Sequence, residues 1–213
     1  MRTRVKVCGL TRRDDALLAA DLGADALGFV FAPGTKRPAD PEVVARVVEE
    51  LPPFVPAVGV FRNQPVDEVR RLVRGCGLHL AQLHGDEDPA YIQALGLPVL
   101  KAVGIAGPAD LDRLGRYPGL TAFLLDAPGG GTGRTIDWGL AREAQRYGRI
   151  VLAGGLTPEN VAEAIHSARP WAVDAASGTE ARPGVKDPDR LRRFLEAVRA
   201  ADAGCPTPPA SPS

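Results

Sequence analysis

RVKVCGLTRRDDALLAADLGADALGFVF, residues 4–31, decides how this chain is read. It opens on a short β-branched run, RVKVC (4–8). A stretch with apolar Ala16, Leu17 and Ala20 at helical spacing follows over 14–22. A second apolar run, DALGFVF (25–31), closes the unit. Strand, helix and strand in 28 residues make a βαβ unit, which joins parallel strands. The first strand ends on Cys8, then a glycine, then a threonine. Cys8 is either a small core residue or a reactive thiol, and the rest of the chain has to choose.

The same alternation continues to the end. Further strands are expected at 55–61, 78–83, 98–103, 121–126, 149–154 and 171–176. Helices are expected at 41–51, 66–73, 88–95, 108–117, 137–147, 158–166 and 188–201. Three helix starts carry a cap followed by proline at the first helical position: Asp40-Pro41, Thr157-Pro158 and Asp187-Pro188. Eight strands, each followed by a helix, match a small (β/α)₈ barrel, an α/β fold of one domain. The apolar strands lack strict alternation, as in a parallel sheet covered by helices. An open doubly wound sheet shares the alternation, but no GxGxxG follows the first strand. The barrel is expected over residues 1–202. The proline-rich segment 203–213 is expected to be a disordered tail, with Cys205 incidental.

Bulk properties narrow the function. Lys plus Arg and Asp plus Glu number 26 each, so no net charge favours nucleic acid or an anionic membrane. No apolar run reaches the roughly 20 residues of a membrane helix. Three cysteines without CxxC spacing suit neither a disulfide framework nor structural zinc, and fit reduced thiols in a cytoplasm. A small anionic substrate remains compatible. Monomer and homodimer both stay open.

Barrels of this kind place their chemistry at the C-terminal ends of the strands. Those ends here include Cys8, His84 and Asp126. Cys8 and Asp126 at two strand tips suggest a base and an acid at one mouth. His84 either binds substrate or orients its own loop. Period-two alternation puts Lys6 on the face of Cys8, where an ammonium favours the thiolate. Lys101 and Asp174 are read as structural charges, paired with one another or with Lys6.

Phosphate has its own signal. Gly154 and Gly155 follow the seventh strand, and Ser177 and Gly178 follow the eighth. These two loops are where barrels often bind phosphate. The loop APGGGTGRTIDW (127–138), with Gly133, reads as a lid after Asp126. Arg37 in APGTKRPAD (32–40) is placed to fork onto a carboxylate, or is a solvated surface residue.

Taken together, VKVCGLT, DALGFVF with KRP, QLHGDE, FLLDAPGGGTGRTIDW, LAGGLTPENV and VDAASGTEARPGVKD resemble the phosphoribosylanthranilate isomerase family of tryptophan biosynthesis. The pieces run in order over residues 5–187. The resemblance implies an Amadori rearrangement of N-(5-phosphoribosyl)anthranilate, with Cys8 as general base and Asp126 as general acid. It implies Arg37 for the anthranilate carboxylate and phosphate contacts around Gly133, Gly155, Ser177 and Gly178. It implies a small phosphosugar as partner, and neither metal nor organic cofactor. Chemistry at neutral pH leads us to expect a raised Asp126 and, near cations, a lowered Cys8. Two rivals compete. Another phosphosugar barrel, a metal-dependent epimerase among them, is poorly served by three histidines, His79, His84 and His166. A non-catalytic phosphometabolite binder needs neither Cys8 nor Asp126.

Overall fold

The computed structural model describes residues 2–120, 122–129 and 135–204. Eight parallel strands close into a barrel in chain order. They are β1 (Arg4–Val7), β2 (Ala26–Val30), β3 (Ala57–Phe61), β4 (Leu80–Leu83), β5 (Val99–Gly104), β6 (Ala122–Asp126), β7 (Arg149–Leu152) and β8 (Ala172–Ala175). β1 pairs with both β2 and β8, which closes the ring. The closed barrel settles the choice against the open sheet.

Helices cover the outside: α1 (Arg13–Asp21), α2 (Pro41–Glu50), α3 (Val66–Gly75), α4 (Pro89–Leu95), α5 (Trp138–Glu143), α6 (Val161–Ala168) and α7 (Pro188–Gly204). Asp40 and Asp187 cap α2 and α7 as expected, each accepting two backbone N–H groups through its Oδ1. Two helix expectations change form. Residues Pro108–Arg116 are 3₁₀, because buried Leu111 and Leu114, three apart, stack on one face. Residues 158–160 are a turn, and α6 starts only at Val161. Asn160 takes over there: its Oδ1 accepts the Thr157 N–H at 2.8 Å, and its Nδ2 donates to the Gly155 carbonyl. Thr157 keeps a capping contact of its own, its Oγ1 accepting the Glu159 N–H at 3.3 Å, but it caps the turn that leads into α6 and not α6 itself. On α1 the buried face carries Asp15, Ala16 and Ala19, one step around from the predicted stripe.

Two elements had no sequence expectation. A single 3₁₀ turn (Ser177–Thr179) leads into a two-stranded hairpin, β9 (Glu180–Arg182) and β10 (Val185–Lys186). α7 runs on through Gly204, so the start of the expected tail is helical, and residues 205–213 lie outside the described residues.

Strand register sorts the side chains into two layers. The barrel interior holds Leu100, Ala102, Leu124, Val151, Ala153 and Ala172. The larger core lies between sheet and helices and contains Leu83 and Phe123. Lys101 pairs in register with both of these, so it points outward, among the helices. Among the described residues no helix is long and apolar enough to cross a membrane.

Candidate active site

A cavity of about 600 Å³ opens at the C-terminal ends of the strands. Cys8, Arg37, Gln82, His84, Asp126 and Asp174 all line it. Four residues chosen from sequence, on four different strands or their loops, therefore meet in one space. The barrel does this by bringing distant strand ends to one rim.

Cys8 sits one residue past β1, 7% exposed, at the cavity floor. Its place depends on Gly28 in β2. A Cβ there would stand 2.7 Å from Cys8 Sγ and 3.0 Å from Lys6 Nζ, so only glycine leaves room for both groups. Lys6 and Asp174 are register partners on β1 and β8, and Lys6 Nζ lies 2.8 Å from Asp174 Oδ1. Burial opposes a charge on Lys6, yet Asp174 and Cys8 outweigh it and hold the amine above its ordinary value.

The thiol goes the other way from expectation. Burial pushes Cys8 up, and Asp174 adds to this. Lys6 and Lys186 pull it down but do not prevail. Lys6 is spent on Asp174, so its charge reaches the sulfur partly cancelled. The expected lowering of Cys8 is corrected to a raising.

Asp126 ends β6. Its Oδ1 accepts the Ala127 N–H at 2.7 Å, and its Oδ2 lies 3.7 Å from His84 Nε2. Burial lowers His84 from its ordinary value, against the pull of Asp126, so the ring is neutral at pH 7. Gln82 Nε2 lies 3.4 Å from His84 Nδ1, across the ring from Asp126.

The loop that carries His84 is braced from outside the barrel. Lys101 Nζ donates to the Leu83 and Gly85 carbonyls and lies 3.0 Å from Glu87 Oε2. Glu87 also accepts the Asn63 and Gly85 N–H groups. Lys101 thus pairs with Glu87 and not with Asp174 or Lys6, because it faces outward while they face inward. Sequence reading gave Glu87 no role although it is the last residue of QLHGDE (82–87); a carboxylate four residues past a strand has no periodic signal.

Arg37 reaches the cavity from the β2–α2 loop, but its fork is already engaged. Nε and Nη2 each lie 2.7 Å from an oxygen of Glu180 in β9. Glu180 was not singled out from sequence, since the hairpin that carries it was not foreseen.

The glycine loops meet elsewhere. Gly155, Ser177 and Gly178 line a second cavity of about 410 Å³, together with Thr157, Arg190 and Arg193. The two loops touch: a Cβ on Gly178 would fall 1.9 Å from the Leu156 carbonyl oxygen. Gly154 and Gly155 both turn the chain with positive φ, +86° and +59°, which glycine adopts at little cost. Gly133 and the core of the expected lid lie outside the described residues. Among the described residues no group of three or more His, Cys, Asp or Glu side chains is arranged to hold a metal ion.

Comparison with known proteins gives the family and the fold. The family profile for N-(5'phosphoribosyl)anthranilate (PRA) isomerase matches residues 5–197. An N-(5'-phosphoribosyl)anthranilate isomerase of Citrifermentans bemidjiense is 49% identical over 201 residues, covering 92% of this chain and 97% of the relative. The crystal structure of the phosphoribosyl anthranilate isomerase of Thermus thermophilus superposes with a TM-score of 0.87 at 45% identity, covering 93% and 99% of the two chains. A further phosphoribosyl anthranilate isomerase structure, 39% identical with a TM-score of 0.84, covers 93% and 99% and holds reduced 1-(o-carboxyphenylamino)-1-deoxyribulose 5-phosphate.

Proposed function

The chain belongs to the N-(5'-phosphoribosyl)anthranilate isomerase family of tryptophan biosynthesis, and from that premise we propose how its own residues run the reaction. The substrate is N-(5-phosphoribosyl)anthranilate, and the product is 1-(2-carboxyphenylamino)-1-deoxyribulose 5-phosphate. Asp126 protonates the furanose ring oxygen. The C1′–O bond breaks as the anilino nitrogen pushes its lone pair in, leaving an iminium at C1′. This acidifies the C2′ proton, which Cys8 removes as thiolate. The electron pair forms an enaminol. Loss of the 2′-hydroxyl proton and protonation of C1′ then give the ketone. C1′ is reduced and C2′ oxidised within one molecule, so no external oxidant or reductant enters.

The observation that carries the reading is that Cys8 and Asp126, from opposite sides of the barrel, line one cavity with His84 against Asp126. The substrate brings its own electron sink, and acid and base steps of this kind each contribute about 10²–10⁴-fold. Burial that raises Cys8 suits it as a base: a more basic thiolate takes a carbon-bound proton more readily, and the developing iminium is the countercharge that favours its ionisation. Arg37 holds the anthranilate carboxylate. The loops at Gly155 and at Ser177-Gly178 hold the phosphate through backbone N–H groups, with Gly154 and Gly133 in the same role.

The test is direct. Purified chain is mixed with freshly made phosphoribosylanthranilate without added metal, and loss of anthranilate fluorescence is followed. Wild type converts it, while Cys8→Ala and Asp126→Ala lose activity by at least about 10²-fold. Activity surviving Cys8→Ala removes the thiol from the mechanism. No conversion by wild type overturns the assignment of substrate.

A further inference from the structure

The β9–β10 hairpin does more than follow the barrel. Glu180, 4% exposed, stands behind Arg37 and takes the guanidinium in a two-point fork, Nε to Oε1 and Nη2 to Oε2, both at 2.7 Å. Its Oε1 also accepts the Gly184 N–H at 3.3 Å and lies 3.5 Å from Lys186 Nζ. Lys186 is in turn fully engaged. Its three donors reach the Cys8 carbonyl at 2.7 Å, the Ala176 carbonyl at 2.9 Å and Thr179 Oγ1 at 3.1 Å. One buried carboxylate therefore joins the β2–α2 loop to the tips of β1 and β8.

The stem of Arg37 is held as well. It lies over Gly9, where a Cβ would come within 2.4 Å of Arg37 Cδ, and Gly9 has a φ of +75° that glycine tolerates. Stem and fork together leave the guanidinium one orientation. Of its five N–H donors, two are used on Glu180. The donors left over lie at the Nη1/Nη2 end, and Arg37 lines the main cavity.

We propose that Glu180 is a positioning residue that turns the Nη1/Nη2 end of Arg37 toward the substrate carboxylate. The inference rests on the reading of Arg37 as the carboxylate contact. Glu180 acts through Arg37 and does not touch substrate. Its anchoring to Lys186 sets that orientation relative to Cys8, so the carboxylate end and the reacting carbon are registered on one frame.

Two inhibitors separate this from a merely structural role. One is reduced 1-(o-carboxyphenylamino)-1-deoxyribulose 5-phosphate. The other is the same compound with hydrogen in place of the carboxylate. Inhibition constants are measured for wild type, Glu180→Gln, Arg37→Ala and the double variant. Glu180→Gln is expected to weaken the carboxylate compound roughly tenfold, the scale of one lost charge-assisted hydrogen bond, and to leave the other unchanged. In the Arg37→Ala background it adds nothing further. Equal weakening of both compounds by Glu180→Gln overturns the proposal in favour of a structural role. Arg37→Ala losing selectivity while Glu180→Gln keeps it overturns the proposal and leaves Arg37 in place. Selectivity retained in Arg37→Ala removes the Arg37 reading and the proposal with it. Should Glu180→Gln fail to fold, Glu180→Asp carries the same comparison.

Discussion

Lys6 and Asp174 face one another across the β1–β8 seam, Nζ to Oδ1 at 2.8 Å, directly beneath the thiol of Cys8. The pair is both structural and electrostatic. Removing one member leaves an uncompensated charge inside the barrel, which costs about 3–5 kcal/mol. Lys6→Met is therefore expected to lower the urea midpoint strongly. Lys6→Met with Asp174→Asn, which removes both charges, regains much of the loss. If the double variant is as unstable as the single, the pair does not act as a charge pair.

Cys8 should titrate late. Its pKa is raised, so at neutral pH the group is mostly thiol, and the thiolate fraction climbs tenfold per pH unit until the pKa is passed. Alkylation of Cys8 by iodoacetamide, followed by peptide mass spectrometry, is expected to accelerate steadily from pH 7 upward without levelling below about 8.5, the ordinary thiol value. Because Lys6 pulls the thiol down, Lys6→Met should move the curve to still higher pH. A plateau near pH 6 or 7 would show a stable thiolate and refute the raised value.

His84 stands against Asp126 at 3.7 Å, neutral and 30% exposed at the side chain. On the proposed reading of Asp126 as the acid, His84 would act by orienting it. His84→Ala is expected to lower kcat about tenfold, well short of the roughly 10²–10⁴-fold loss on removing Asp126 itself. Because the ring lines the open cavity and is not part of the hydrophobic core, thermal stability should change little. In the Asp126→Ala background the His84 change should have no further effect, and an additive loss would give His84 a separate role.

The phosphate reading predicts a large penalty at one small residue. Gly178→Ala puts a methyl group 1.9 Å from the Leu156 carbonyl oxygen, which forces the two loops apart. Overpacking of this kind costs typically 1–3 kcal/mol. KM for the phosphorylated substrate should rise while inhibition by inorganic phosphate weakens in parallel. An unchanged phosphate inhibition constant would place the phosphate away from these loops.

Much of this was legible in the chain itself. The repeated passage from β-branched run to amphipathic stretch, begun at residues 4–31, encodes local conformation, and local conformation follows from propensity, capping and period. Cys8, Asp126 and His84 stood out because strand ends are readable and chemistry in a barrel collects there. The glycines after the seventh and eighth strands were visible for the same reason. The hairpin at 180–186 was not, being only three and two residues of strand, too short for any period to register.

Local pattern along the chain was enough for the order of elements, the barrel class and the strand tips that carry reactive groups, since each depends on neighbours in the chain. Tertiary structure decided who pairs with whom. Lys6 meets Asp174, 168 residues away, and Lys101 turns outward to Glu87, because register and closure assign each side chain a face and a partner. It also decided the sign of the shift at Cys8. Burial and a cation already committed to a carboxylate are properties of the assembled barrel, and no residue near Cys8 in sequence specifies either.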